Sequence, residues 1–250
     1  MIIRRRTCAR LHVHVPALAA LHAPALHAAA VSRDGIGPER QLGMGSGDAV
    51  RIGHGSAGGW DVFGPRRRIT RAEGNVLFEL DGKPALDLYK AYLGPEESQN
   101  LPGSALLFPL RIADPKRPDT SVVRTILRVD HDTGSMTFAG DMPRGWSAQL
   151  MRGSISRLCA SAAEATHRAA AAADSSAGAS AAILVSCIGR RLLLGQRIDE
   201  EIEAAETGLA QGCVPIGFYS YGEISPHKES GFCQLHNQTM TVTVVSERAA

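Results

Sequence analysis

Residues 217–247 read GFYSYGEISPHKESGFCQLHNQTMTVTVVSE. Two runs rich in aromatic and β-branched residues, Val214–Ile224 and Phe232–Ser246, flank the polar loop Ser225–Gly231, which is the pattern of two paired strands. With the loop centred near Lys228, antiparallel pairing sets Ser220 opposite His236 and Tyr219 opposite Asn237, give or take one position. The later half, Val242–Val245, is written as a structural sheet face. The earlier half carries Tyr219, Tyr221, Glu223, His236, Asn237 and Gln238 instead, which reads either as a hydrogen-bonding surface for a small polar ligand or as an internal polar network.

Working outward, Ala182–Ile188 is a continuous apolar run of strand length, the pattern of a central strand buried on both faces. Arg190 and Arg191 follow it directly, where a guanidinium fork can meet a carboxylate ligand; the competing reading is a salt bridge to Glu200 or Glu201. The acids from Asp199 to Glu203 open a helix through about Leu209. Before the apolar run, Asp174–Ser180 is a small-residue linker, preceded by a long alanine-rich helix reaching about Ala173. Ser147 or Ser154 caps that helix, and Met151, Ile155, Leu158 and Ala162 form its apolar stripe.

Further upstream, Asn75–Leu80 alternates and runs into the hairpin-type turn signal Asp81-Gly82, and in Ala85–Leu93 Leu86, Tyr89 and Leu93 recur at helical spacing, which predicts a strand, a turn and a short helix. Leu106–Ile112 reads as a strand, and Val122–Val129 with Ser135–Phe138 as a second hairpin. The fold class is α+β, a mixed and largely antiparallel sheet built from hairpins with helices packed on it. Residues 1–45 read as an atypical Arg/His/Ala-rich extension expected to be poorly ordered, 46–80 as a junction, and 81–250 as the main domain.

The chain of 250 residues is 44% hydrophobic and 21% charged, a soluble globular composition with no run long and apolar enough for a membrane helix. A net charge of +2 argues against coating nucleic acid or an anionic membrane. Charge is nevertheless uneven, +6 over residues 1–70 and −4 over the rest. Five cysteines without a C-x-x-C pair point to reduced thiols and a cytoplasmic location. In the extension, Pro16, His22, Pro24 and His27 interrupt any secretory apolar core, and the histidines lack the spacing of a metal site.

Three chemical motifs fail on inspection. The G-x-G-x-x-G at Gly53, Gly55 and Gly58 runs into Trp60, Gly64 and Pro65 rather than opening a helix, so it is not a dinucleotide fingerprint. Ser56 has His54 where an esterase elbow needs glycine, and Gly82-Lys83 runs into Pro84 where a phosphate loop needs Ser or Thr. Cys233 and His236 stand three apart on a strand, facing opposite ways, which argues against a thiolate pair or a zinc site. No catalytic residue and no metal are expected, and the chain is read as a non-enzyme. Non-covalent haem held by His236, His131 or Cys187 is the cofactor alternative, since no C-x-x-C-H attachment run is present.

Gly217–Pro226 followed by Leu235-His236-Asn237-Gln238-Thr239-Met240-Thr241 resembles the end of the C-terminal FIST domain. Arg51–Leu80 resembles the junction between the two halves of FIST proteins, and Ser186-Cys187-Ile188-Gly189-Arg190-Arg191 the buried strand and arginine turn. The resemblance spans about residues 48–247, with only the end of the N-terminal half. It implies an intracellular sensory module for a small ligand such as an amino acid, coupled to a histidine kinase or other signalling output. Some relatives are haem-containing gas sensors, and a truncated relic without activity is the third reading. The ligand-binding residues on this view are Arg190, Arg191, Tyr219, Tyr221, Glu223, His236 and Asn237.

Overall fold

A computed structural model describes residues 50–174, 180–226 and 233–247. The extension over residues 1–45, most of the linker after Asp174 and the loop around Lys228 lie outside the described residues. The chain begins with β1 (Val50–Ala57), β2 (Trp60–Val62), β3 (Arg67–Glu73), β4 (Val76–Leu80) and β5 (Lys83–Pro84). Helix α1 (Ala85–Gln99) leads to β6 (Leu110–Asp114), β7 (Arg117–Arg124), β8 (Ile126–Asp130), β9 (Ser135–Phe138) and β10 (Ser147–Gly153). Then come α2 (Ile155–Ala173), β11 (Ser180–Cys187), α3 (Ile188–Leu194) and α4 (Ile198–Glu206). The last strands are β12 (Val214–Ser220), β13 (Glu223–Pro226), β14 (Cys233–His236) and β15 (Met240–Glu247).

The architecture is α+β, with mixed, mostly antiparallel sheets carrying helices. One sheet has the order β1-β15-β11-β12, in which only β11 and β12 run parallel. A parallel pair needs a crossover, and α3 with α4 supplies it. Helix α2 lies across β1 and β15 with the small face Ala162, Ala165, Ala169 and Ala173 fully buried. The strand answers with glycine: a side-chain carbon at Gly53 or Gly55 would collide with the carbonyl of Ala169 or Ala165. The G-x-G motif is therefore a packing device that lets helix and strand backbones approach.

The second sheet runs β7-β6-β10-β3-β4-β9-β8 and surrounds a larger core of Ile69, Leu77, Leu86, Ile112, Met136 and Phe138. Asp81 (φ 51°) and Gly82 (φ 75°) make the expected tight turn between β4 and β5. Trp60, Met151, Leu158 and Leu194 form a small third cluster, and the Trp60 indole donates to the carbonyl of Gln238 at 2.7 Å.

Four local expectations are corrected. The two closing runs do not form one hairpin, because β11 intervenes between β12 and β15; only the short β13 and β14 pair, with Glu223 opposite His236 and Ile224 opposite Leu235. The central strand is covered on one face only: Ala182, Leu184 and Ser186 are buried, whereas Ile183 is 38% exposed. Ser147 and Met151 belong to strand β10, and Ser154 alone caps α2, accepting from the Arg157 amide. The strand expected over Leu106–Ile112 begins as a tight turn, Gly103–Leu107, before extending at Leu110.

Candidate functional site

The carboxyl ends of the parallel strands β11 and β12 lie side by side, Ser186 beside Tyr219 and Cys187 beside Ser220. Such strand ends are where mixed sheets gather polar groups. Two clusters meet there, one on each side of the strand end.

The first cluster is an ion pair with no solvent contact. Arg190 and Glu201 are each 0% exposed, with Arg190 Nη2 at 2.6 Å and Nε at 2.8 Å from Glu201 Oε1. The remaining guanidinium donors reach the carbonyls of Gly58 and Leu158 and the hydroxyl of Ser161. Glu201 Oε2 accepts from Ser186 Oγ at 3.2 Å and from the Tyr219 hydroxyl at 3.4 Å. Arg190 is thus occupied internally, by one of the two acids weighed as its partner, and holds α3, α4 and α2 together. Burial, then the adjacent Glu201 carboxylate, pushes the Tyr219 phenol above its ordinary range. Arg191 lies with its guanidinium carbon 5.7 Å from the centre of the Tyr219 ring.

The second cluster is built on the short hairpin. Glu223 is 4% exposed, and its two carboxyl oxygens accept from Ser220 Oγ and Thr239 Oγ1, each at 2.7 Å. Burial raises the Glu223 carboxyl to about 7, against the lowering pull of those two hydroxyls. Burial, and next the charge of Glu223, pushes the Cys187 thiol up to about 11, which keeps it protonated at neutral pH. His236 stands opposite Glu223 in the ladder. Asn237 is 1% exposed, yet neither atom of its side-chain amide has a hydrogen-bond partner.

Gln238, fully buried with φ 64°, donates to the carbonyl of Leu106 at 2.9 Å and leaves its own amide oxygen unpartnered. Gly189 has no side chain because any would strike the Gln238 amide. The hairpin is anchored to the second sheet by Arg124, which donates to the carbonyl of Leu235 at 2.9 Å.

Of the predicted site residues, the structure gathers Glu223, His236 and Asn237 on the hairpin, with Tyr219 and Arg191 across the strand end. Tyr221 points away, 85% exposed at the turn. Sequence reasoning missed Ser220 and Thr239 as the Glu223 partners, since the fold that joins them places residues 16 apart in contact. Among the described residues, no group of three His, Cys, Asp or Glu side chains is placed to hold a metal, and no helix is long and apolar enough to cross a membrane.

The raised Glu223 carboxyl has a consequence for stability. Its folded value near 7 lies above the ordinary 4.5, so the native state holds a proton that the unfolded chain has released between those values. The stabilising contribution is full below about 4.5 and is lost as pH rises through about 7. Glu223→Gln, which keeps the uncharged form, should flatten that fall relative to the parent in urea titrations across this window. An identical slope in both proteins would remove Glu223 as the responsible group.

A family model described as the FIST N domain matches residues 33–83, and one described as the FIST C domain matches residues 85–226. Neither a curated protein nor a solved structure matches the chain. The second match alone takes in more than half of the residues, including the central strand, the buried ion pair and the first strand of the hairpin; the chain belongs to the FIST family.

Proposed function

We propose that this chain is the ligand-binding input of a signal-transduction system and that its ligand is an amino acid or a related small polar metabolite. FIST domains are generally regarded as small-ligand-binding sensory domains, which supports the coarse reading. The observation that carries the finer one is the orphaned amide of Asn237, buried against Gly222 on the hairpin that carries Glu223. A buried amide without partners costs about 1–3 kcal/mol, a cost that a ligand donor and acceptor would relieve. Glu223 would receive an ammonium group, Asn237 and His236 would hydrogen-bond polar atoms, and Arg191 over Tyr219 would meet a carboxylate.

Arg190 serves this site by position, fixing the strand end through Glu201 rather than touching the ligand. Binding would shift a conformational equilibrium read by a separate output protein such as a histidine kinase. For the haem alternative, the Cys187 thiol is held neutral and His131 sits exposed beside Lys90 Nζ at 2.9 Å, so His236 is the ligand that a haemin titration would test.

Thermal unfolding against a panel of amino acids, with haemin as a separate arm, tests the reading. A ligand at about 100 times its Kd adds about 2.7 kcal/mol. At ~2–4 °C per kcal/mol this is a rise of roughly 5–11 °C. Glu223→Gln with Asn237→Ala should abolish the rise while unfolding cooperatively. A panel without any shift, a shift retained in that variant, or a response to haemin with a sharp Soret band alone would each overturn it.

A further inference from the structure

We infer that the outward face of the second sheet is a separate anion site, suited to a phosphorylated compound with a flat ring, a nucleoside polyphosphate in chemical class. The evidence begins with strand alternation. Ile69 on β3, Ala148 and Leu150 on β10, and Leu110 and Ile112 on β6 all point into the core. The alternate positions therefore point out: Arg68 on β3 with Arg66 just before it, Ser147 and Gln149 on β10, and Arg111 on β6.

The ladder puts Ser147 between Arg68 and Ala113, and Gln149 beside Arg111. Strands β3 and β6 both flank β10, so their arginines are separated by two strand spacings, ~10 Å. Arg66, Arg111, Ala113, Ser147 and Gln149 line one small recess. It adjoins an open cleft of about 660 Å³ walled by Arg66, Arg68, Pro115, Pro118 and the half-buried Trp146. That volume lies within the range of small-molecule sites.

Charge separates this face from an ordinary solvated sheet. Among the described residues, two acids border the cleft, and both are engaged. Asp81 accepts from Arg67 Nη1 at 3.1 Å and from the Arg68 amide at 2.8 Å, and the Arg68 amide leads the causes that hold its carboxyl below the usual range. Asp114 pairs with Arg117 at 3.6 Å and accepts from the Lys116 amide. Among the described residues, the guanidinium groups of Arg66, Arg68 and Arg111 have no acidic partner.

Three like charges gathered on the two strands that flank β10 repel one another, and an anion lodged between them reverses the sign of the interaction. Guanidinium groups meet phosphate oxygens in a bidentate geometry that ammonium groups do not offer. Trp146 and the two prolines supply an apolar wall against which a base would lie. The residues involved share nothing with the hairpin site, so the two proposals stand or fall independently.

The test is titration of the full chain with adenosine triphosphate at low salt, read by calorimetry and by tryptophan fluorescence. Trp146→Phe identifies the indole that responds, since Trp60 is buried at the far end of β10, against Gly153. Saturable quenching is expected, weakened by raising salt from ~50 to ~200 mM. Arg66→Glu with Arg111→Glu should weaken binding about tenfold or more, and the double lysine variant should fall between. Circular dichroism checks that these substitutions leave the fold intact.

Adenosine without phosphate, and inorganic triphosphate without the ring, should each bind more weakly. Absence of binding, binding indifferent to the arginine reversals, equal binding of inorganic triphosphate, or binding confined to long single-stranded nucleic acid would overturn the inference.

Discussion

Glu201→Ala is expected to destabilise the fold by about 3–5 kcal/mol, because it strands Arg190 without its counter-charge in a place that water does not reach. The loss is large because Arg190 cannot relax toward solvent. Its donors are tied to the carbonyl of Gly58 after β1 and to the Leu158 carbonyl and Ser161 hydroxyl on α2, groups on two separate segments. Removing the carboxylate also deprives Ser186 Oγ and the Tyr219 hydroxyl of their acceptor. Against a total stability of about 5–15 kcal/mol, the change would bring the midpoint of urea unfolding far down. Arg190→Met combined with Glu201→Leu should recover much of the deficit, since both charges then leave together. A change below about 1 kcal/mol for Glu201→Ala would show that water reaches the pair after all.

The second large effect is expected at Gly55→Val. Overpacking a tight contact costs about 1–3 kcal/mol and occasionally more, and this position belongs at the upper end because the obstacle is backbone. A side chain there meets the Ala165 carbonyl and the Cβ of Arg168, so helix α2 has to lift away from β1. Lifting it opens the seam of Ala162, Ala165, Ala169 and Ala173 along its whole length. Gly103→Ala is the control: nothing lies within 4 Å of the added carbon, and its effect on the thermal midpoint should be small. Equal effects of the two substitutions would mean that α2 and β1 pack loosely.

Much of this architecture could be read from the chain. The alternation before Asp81-Gly82, the helical spacing of Leu86 and Tyr89, the Ser154 cap and the apolar run at Ala182 all express local rules, and each element formed near its expected place. The closing residues misled because their pattern states that they are strands without stating which strand each one pairs with. Val214–Ser220 and Met240–Glu247 both prefer β11, whose two edges give them a larger ladder than they could give each other. What remains for direct pairing is the short β13 with β14, and the register shifts accordingly, bringing Glu223 rather than Ser220 opposite His236.

The candidate site follows the same division. Its residue types were legible, because a strand pair carrying Glu223, His236 and Asn237 departs from an ordinary sheet face. Their roles were not. Arg190 and Arg191 look equivalent in sequence, yet the rotation of about 100° between successive helix residues buries the first against Glu201 and leaves the second beside the Tyr219 ring. The arginines at 66, 68 and 111 gave no sign of belonging together, and only the β3-β10-β6 ladder makes them neighbours.

By itself, the sequence determined the class of the fold, the positions of its helices and most of its strands, and membership of a family. Those properties depend on hydrophobic period, capping and turn chemistry, which act over a few residues. Tertiary structure decided which strands are partners, which arginine is sealed from water and which amide is left without a bond. Those depend on contacts between residues far apart in the chain, where the free energy of pairing and burial is settled by the whole assembly rather than by any segment of it.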